Sequence, residues 1–289
     1  MQEPINKVAV VTLKSYEDFL EKISEIIEIY KDVGVLVFRG YKFSDEEHKE
    51  VARSLGDILG WNMFHGADPF NESGFYDGGH SDLDDDLKYT IPKDKHMVDW
   101  HIEQVYYVYP ILAGLWNMYH FSAEKGEGNT LFVDSCQLYE NLSEEDKEFL
   151  ADAIMFWKKQ GPQSSGPYYT KAVDTHPNLG KPTLRIETDT GCQIEPQLFS
   201  KSGKKATEEE KKKFKDIVKK IKLEILFNEE LLLTQEWEQN DLLVVDLYRM
   251  YHSVLGGFDR GERKFKGLGI RPRFYTHDLY TSEEEVWTS

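Results

Sequence analysis

Two histidines and a glutamate set the strongest constraint on how this chain folds. His101 and Glu103 stand two apart in Val98-Asp99-Trp100-His101-Ile102-Glu103, and His252 follows about 150 residues later in Asp246-Leu247-Tyr248-Arg249-Met250-Tyr251-His252. In a β-strand, residues i and i+2 share a face, so a strand here projects His101 and Glu103 side by side. Two imidazoles and one carboxylate on one side of an ion, with the opposite side open, are the ligand set of non-haem Fe(II) sites. A His-x-Glu pair alone says little, because a chain with 52 acidic residues produces it by chance. It gains meaning if the fold carries His252 beside it, which makes two distant segments neighbours.

Composition narrows the setting. The 289 residues allow one large domain or two small ones, and 40% hydrophobic with 13% aromatic residues is ample for a packed core. No apolar run reaches the ~18 residues a membrane span needs. Met1-Gln2-Glu3-Pro4 lacks the basic and apolar regions of a secretory signal. Cys136 and Cys192 do not make a disulfide framework, and a reduced cytoplasm is the natural setting. The formal charge of −17 opposes nucleic-acid binding, which needs basic surface. It weakly favours a neutral or cationic small molecule, although a solvated acidic surface explains it as simply.

Along the chain, Val8 to Leu13 reads as a strand. Ser15 caps a helix whose Phe19, Ile23, Ile26, Ile27 and Tyr30 recur at helical spacing, and it ends near Val33-Gly34. Val35 to Phe38 is a buried strand. Ser44-Asp45-Glu46-Glu47 is a capping box opening a second helix, with Val51 and Leu55 inward and Gly56 as its stop. Residues 60–97 form a glycine- and aromatic-rich excursion, the kind of long loop that serves as a lid. Its Asp82 to Asp86 run is not a calcium loop, because Leu87 and Lys93 occupy the positions that need Gly and Glu.

From Val98 onward the texture is β-rich. His101 to Tyr107, Ile111 to Phe121, Thr130 to Val133, Thr183 to Glu187, Leu242 to Val245, Tyr251 to Val254 and Phe265 to Arg271 read as strands or apolar strand-like segments. Ser143 caps a helix to about Lys159. Residues 161–167 and the His176 to Pro182 stretch read as loop and turn. Thr207 opens a helix through Phe227, striped by Phe214, Ile217, Val218, Ile221 and Ile225, within a helical insert over 200–230. Strands without regular βαβ alternation predict a mainly β fold, an antiparallel core with flanking helices.

Beyond these residue patterns, the chain resembles the taurine dioxygenase-like (TauD/TfdA) family of Fe(II)/2-oxoglutarate-dependent oxygenases over about residues 30–273. Gly34 to Gly40 and the helix after it resemble the family's N-terminal strand and helix. The His101/Glu103 pair matches its His-x-acid motif, and Gly128-Asn129-Thr130 sits where Gly-Asp-Thr is usual. Leu138 to Ser143 matches a helix start, and His176-Pro177 through Leu184 matches a hairpin. Asp241, His252 and Arg263 close the pattern.

The resemblance implies a single oxygenase domain over 1–289 with a double-stranded β-helix (jelly-roll) core. It implies Fe(II) held by His101, Glu103 and His252. 2-Oxoglutarate and O2 would be co-substrates, and Arg263 would hold the distal carboxylate with help from the Thr130 hydroxyl. Arg271 is the reserve for that role. A guanidinium suits a carboxylate because it pairs in a bidentate fork that lysine cannot copy.

Two departures narrow the chemistry. Glu103 replaces the commoner Asp; some related amino-acid oxygenases share this, and it speaks against a halogenase. Gly267 stands where the family's taurine-binding Arg would be, so a sulfonate is not expected. Arg185, His80 and His65 are candidate substrate contacts. His176 reads as a turn residue, His96 and His120 as structural groups, and Trp100 and Trp116 as core. The expected activity is hydroxylation of a C–H bond of a small molecule, an amino acid or amino-acid-like metabolite, releasing succinate and CO2. Desaturation on the same site is one alternative, and a non-enzymatic ligand-binding jelly-roll is another. Hydrolysis by Zn or Mn on the same triad is a third. Self-association is left open.

Overall fold

The computed structural model describes residues 7–60, 63–65, 75–78, 92, 94–105, 110–157, 168–187, 196–259 and 261–271. The chain opens with β1 (Ala9–Thr12), α1 (Tyr16–Val33), β2 (Val35–Arg39) and α2 (Asp45–Leu59). The Ser15 hydroxyl accepts from Asp18 N at the start of α1, and Gly34 ends the helix in the left-handed region at φ 73°. Ser44 and Glu47 form the expected capping box on α2. Gly56 does not stop that helix; it continues to Leu59 and closes on Gly60 at φ 72°. A glycine inside a helix costs only about 1 kcal/mol against alanine, and Val51, Ala52, Leu55 and Leu59 keep the buried face intact.

Five strands follow: β3 (Met63–His65), β4 (Tyr76–Gly78), β5 (His96–His101), β6 (Ala113–Phe121) and β7 (Thr130–Asp134). Part of the 60–97 excursion is therefore sheet rather than loop, while its acidic run, Asp82 to Asp86, lies outside the described residues. Strand β5 stops at His101, so Glu103 does not share a strand face with it, contrary to the i, i+2 expectation. After α3 (Ser135–Glu140) and α4 (Glu144–Asp152) comes β8 (Ala153–Trp157). The helix expected to reach Lys159 thus ends at Asp152, because Ala153-Ile154-Met155-Phe156-Trp157 pairs with two strands. A bulky apolar run that fits a pleated surface prefers the sheet when partners exist.

These partners are β9 (Tyr168–Lys171) and, beyond β10 (Val173–Thr175) and β11 (Pro182–Leu184), β12 (Gln197–Ser200). The strand expected over Thr183 to Glu187 ends at Leu184. The loop expected over 161–167 lies outside the described residues. Then come α5 (Glu208–Phe227), β13 (Leu233–Gln235), β14 (Leu242–Asp246), β15 (Met250–Leu255) and β16 (Arg263–Arg271).

Two sheets face each other in a double-stranded β-helix. The larger has seven strands in the order β1-β2-β14-β6-β16-β3, with β4 also on β16; the smaller runs β13-β7-β15-β5. The β1–β2 pair is parallel, and the other named pairs are antiparallel. Alternation along β2 and β14 explains why both faces of these central strands are buried. Leu36, Phe38, Leu242 and Val244 point to α1 and α2, whereas Val35, Val37, Leu243 and Val245 point into the space between sheets. That inner layer also holds Trp116, Phe132, Trp237 and Met250. Behind the smaller sheet, Leu131, Val133 and Tyr251 pack with Ile217, Ile221 and Ile225 of α5. Among the described residues, no helix is long and apolar enough to cross a membrane.

Arg249 ties several elements together. Its Nη1 donates to Asp134 Oδ2 at 2.8 Å and its Nη2 to the carbonyl of Lys31 at 2.8 Å, at the C-terminus of α1. Its Nε lies 3.2 Å from Asp246 Oδ2. Burial would raise the Asp246 carboxyl, but His176 and Arg249 outweigh it and hold it below its usual value. A Cβ on Gly34 would meet the Arg249 guanidinium at 2.8 Å. Gly34→Ala is therefore expected to lower unfolding free energy by about 1–3 kcal/mol, from left-handed strain plus displacement of Arg249. Gly60→Ala, with the same strain but nothing within 4 Å of its Cβ, should cost about 1–2 kcal/mol. Urea unfolding of both variants measures the difference.

His48 is fully buried in α2 against Phe75, and burial pushes it down to about 3 from 6.5. Below pH 6.5 the unfolded chain takes up a proton that the folded state refuses, so this residue's contribution is present above 6.5 and lost as pH falls towards 3. Stability curves of wild type and His48→Leu should diverge over that window, with wild type losing up to about 1.4 kcal/mol more per pH unit. Parallel curves would contradict it.

Candidate metal centre

Strand β15 is the centre of the site because it has neighbours on both edges. His252 pairs in register with His101 of β5 on one side and Phe132 of β7 on the other. Met250 and His252 are two apart on the strand, so His252 points into the space between the sheets, where Met250 packs. The two imidazole rings lie 4.1 Å apart. After His101 the chain turns, and the turn swings Glu103 back. Glu103 Oε2 stands 3.9 Å from Nε2 of His101 and 3.9 Å from Nε2 of His252. One ligand atom from each residue lies within 4.8 Å of the others.

The turn is held under strain. Gln104, directly after Glu103, has φ 52°, a conformation a non-glycine residue adopts at a cost. Its side-chain oxygen accepts from Ile111 N at 3.1 Å, which braces the turn from one side.

Both histidines are oriented by their own strands. His101 Nδ1 donates to the Asp99 carbonyl at 2.8 Å, and His252 Nδ1 to the Met250 carbonyl at 3.3 Å. A carbonyl can only accept, so Nδ1 carries the proton and the Nε2 lone pair faces the centre. Burial, and then the neighbouring His101, hold His252 well below the usual imidazole range, which keeps it neutral. Trp116 and Phe132 form an apolar wall, their rings 5.6 and 6.2 Å from His252. The His252 side chain is 5% exposed, against 30% for His101 and 31% for Glu103, so the cluster is sealed on one side and open on the other. Two donors 3.9 Å apart both reach a centre about 2.0–2.2 Å from each. Two imidazoles and a carboxylate suit a first-row divalent ion.

A second feature lies on the opposite sheet. Arg263 starts β16 and is fully buried. Its Nε donates to the Gly128 carbonyl at 3.1 Å and its Nη2 to the Thr130 hydroxyl oxygen at 3.2 Å. Thr130 Oγ1 also accepts from Trp237 Nε1 at 3.0 Å, which leaves its own proton to give away. The rings of Trp237, Phe258 and Phe265 surround the guanidinium at 5.5, 5.8 and 5.5 Å. Nη1 has no hydrogen-bond partner among the described residues, and no carboxylate among them pairs with this arginine. Burial pushes the group down to about 9, so it stays charged at neutral pH. A buried charge without a counter-ion is costly, and a carboxylate delivered by a ligand would relieve it. Gly128 makes room: a Cβ there would meet Phe258 at 3.0 Å and Arg263 Cδ at 3.1 Å.

The other residues singled out in the sequence fall in different places. His176 is the turn residue expected, and it is also buried. Its Nδ1 accepts from Asn178 N and Leu179 N, so Nε2 donates to Asp246 Oδ2 at 2.8 Å. Arg185 is buried, and both its terminal nitrogens donate to main-chain carbonyls, those of Tyr248 and Glu103. His65 pairs on β3 opposite Gly269, and Arg271 ends β16, but their side chains are outside the description; His80 lies outside the described residues altogether. Sequence reasoning missed Gln104 and Trp237. Nothing in the sequence marks a strained glutamine or a hydroxyl-binding indole, because both depend on tertiary neighbours.

A model of the family described as taurine catabolism dioxygenase TauD, TfdA family matches residues 2–269. No curated protein matches the chain. Among solved structures, a taurine dioxygenase from Burkholderia xenovorans superposes with a TM-score of 0.66 at 12% identity, covering 99% of this chain and 98% of that one. AAD-2, solved in complex with Mn(II) and N-oxalylglycine, gives 0.64 at 18% identity over 95% and 98%. PvcB, described as an Fe, alpha-ketoglutarate dependent oxygenase from an isonitrile synthetic pathway, gives 0.56 at 12% over 89% and 81%. At these identities the likeness shows a shared fold.

If the three side chains form one ion site, wild-type protein binds a single Mn(II) in a titration followed by electron paramagnetic resonance. His101→Ala and His252→Ala, checked for folding by circular dichroism, should weaken binding beyond the roughly 10–100-fold that loss of a supporting residue costs. Unchanged affinity in both would remove the site.

Proposed function

Because the chain belongs to the taurine catabolism dioxygenase TauD, TfdA family, an Fe(II)- and 2-oxoglutarate-dependent class, we propose that it hydroxylates a C–H bond of a small molecule. The substrate we propose is an amino acid or amino-acid-like metabolite. The observation that carries the site assignment is the pairing of an open-edged His101/Glu103/His252 cluster with a buried arginine that has no acidic partner among the described residues. His101, Glu103 and His252 would hold Fe(II). Arg263 would take the distal carboxylate of 2-oxoglutarate, and the Thr130 hydroxyl would donate to the same group. Bound Fe(II), with 2-oxoglutarate as the electron source, supplies the oxidising power of O2 and leaves succinate and CO2.

The protein's own part is placement and the exclusion of water. Trp116 and Phe132 keep water from the His252 side. The partly exposed edge at His101 and Glu103 is where a substrate would approach. An amino-acid-like substrate is supported by Glu103 at the acid position, shared by some related amino-acid oxygenases. Gly267, in place of the family's taurine-binding arginine, argues against a sulfonate. The formal charge of −17 agrees weakly with a neutral or cationic substrate. On this reading residues 1–289 form a single domain working in the cytoplasm.

Anaerobic addition of Fe(II) and 2-oxoglutarate should produce the weak visible charge-transfer band of the ketoacid–iron chelate, and His101→Ala should abolish it. Arg263→Lys should keep the band but require roughly 10–100-fold more 2-oxoglutarate, the loss of a charge-assisted contact worth about 1.5–3 kcal/mol. With an accepted substrate, succinate should appear with a product heavier by one oxygen; a product lighter by two hydrogens would mean desaturation instead. No band and no metal binding would end the proposal.

A further inference from the structure

We infer that Arg185 is a positioning residue for the metal ligand Glu103, holding the turn that aims its carboxylate between the two histidines. The inference rests on the metal reading of Glu103. Arg185 directly follows β11, and its main-chain N–H donates to the Ala172 carbonyl at 2.9 Å, which fixes where the side chain starts. The side chain is buried and crosses to two other segments. Nη1 donates to the Tyr248 carbonyl at 2.5 Å and Nη2 to the Glu103 carbonyl at 3.2 Å. The guanidinium lies over the Tyr248 ring at 4.3 Å, and the Tyr248 hydroxyl donates to Asp174 Oδ2 at 2.8 Å.

Two consequences follow from that arrangement. The carbonyl Arg185 grips belongs to the ligand itself, and the next residue is the strained Gln104 at φ 52°. A strained residue persists only when its surroundings over-determine it. Here the Gln104–Ile111 hydrogen bond restrains the turn after the ligand, and Arg185 restrains it at the ligand. Tyr248, the other acceptor, lies four residues before His252 in the turn leading into β15. One buried cation therefore links the segment carrying Glu103 to the segment carrying His252. Both terminal nitrogens are committed to carbonyls, which argues against Arg185 as the substrate clamp suggested by the sequence. Neutral carbonyl acceptors also leave the Glu103 carboxylate free for an ion, where a direct Arg–carboxylate pair would compete for it.

The test uses the metal-free full chain and metal alone. Mn(II) affinity and the visible d–d spectrum of bound Co(II) are measured for wild type, Arg185→Ala, Arg185→Lys and Tyr248→Phe, with thermal midpoints for each metal-free protein. Arg185→Ala should bind Mn(II) about tenfold or more weakly, as loss of an outer partner does, with altered Co(II) bands. Arg185→Lys, which keeps the charge but not the fork, should fall between and covers the case in which the alanine variant does not fold. Tyr248→Phe removes the hydroxyl that donates to Asp174 and keeps both the ring beside the guanidinium and the main-chain carbonyl that Arg185 holds, so it should lower the midpoint and leave affinity and spectrum unchanged. Wild-type affinity and bands in both arginine variants would overturn the inference, as would an equal loss of affinity in Tyr248→Phe. Failure of wild type to bind Mn(II) would instead strike at the metal centre itself.

Discussion

A slip of one residue in the pairing of β15 with its neighbours would turn His252 from the space between the sheets to the face packed on α5. The register of His252 with His101 and Phe132 is thus the constraint on which the site depends. It is enforced on both faces of β15. Tyr251 is buried behind the sheet and donates its hydroxyl to the Ile186 carbonyl at 2.5 Å. Met250 packs in front, and Ser253 Oγ donates to the Val98 carbonyl of β5 at 2.6 Å. Moving the strand by one residue would expose apolar groups and leave these polar ones unpaired, penalties far larger than the preference of a single histidine.

Two buried arginines differ in how their charge is met. Arg249 is neutralised by Asp134 and Asp246 and spends its remaining donors on the end of α1. Its energetics close within the protein, and it serves as a junction. Arg263 is as deeply buried, has one nitrogen without a partner among the described residues, and is ringed by aromatic faces that stabilise a cation without neutralising it. A carboxylate brought by a ligand would supply the missing counter-charge.

What could be read in the sequence follows the range of the forces involved. Ser15, Gly34 and the Ser44–Glu47 box act within one helical turn, and the helix starts fell where those residues placed them. Gly56 and the 153–157 run were misread because their outcome is set elsewhere: by the buried face α2 keeps, and by β9 and β12 waiting as partners. The three cluster residues were legible as residue types, and Arg263 through the resemblance. The manner in which Glu103 arrives was not, because the strand ends at His101, two residues short of the glutamate that a periodicity argument places on it.

That early end has a physical purpose. Residues i and i+2 of an extended strand lie about 6.5 Å apart along the chain, which sets their side chains in parallel rather than converging. The turn after His101 abandons that spacing and lets the Glu103 carboxylate converge on both Nε2 atoms at 3.9 Å. Convergence costs the strained Gln104 and needs the braces from Ile111 and Arg185. Two of the three candidate ligands thus sit at a restrained, partly open edge while the third is locked in the core. This division leaves one side of the centre accessible to small molecules and keeps the other dry.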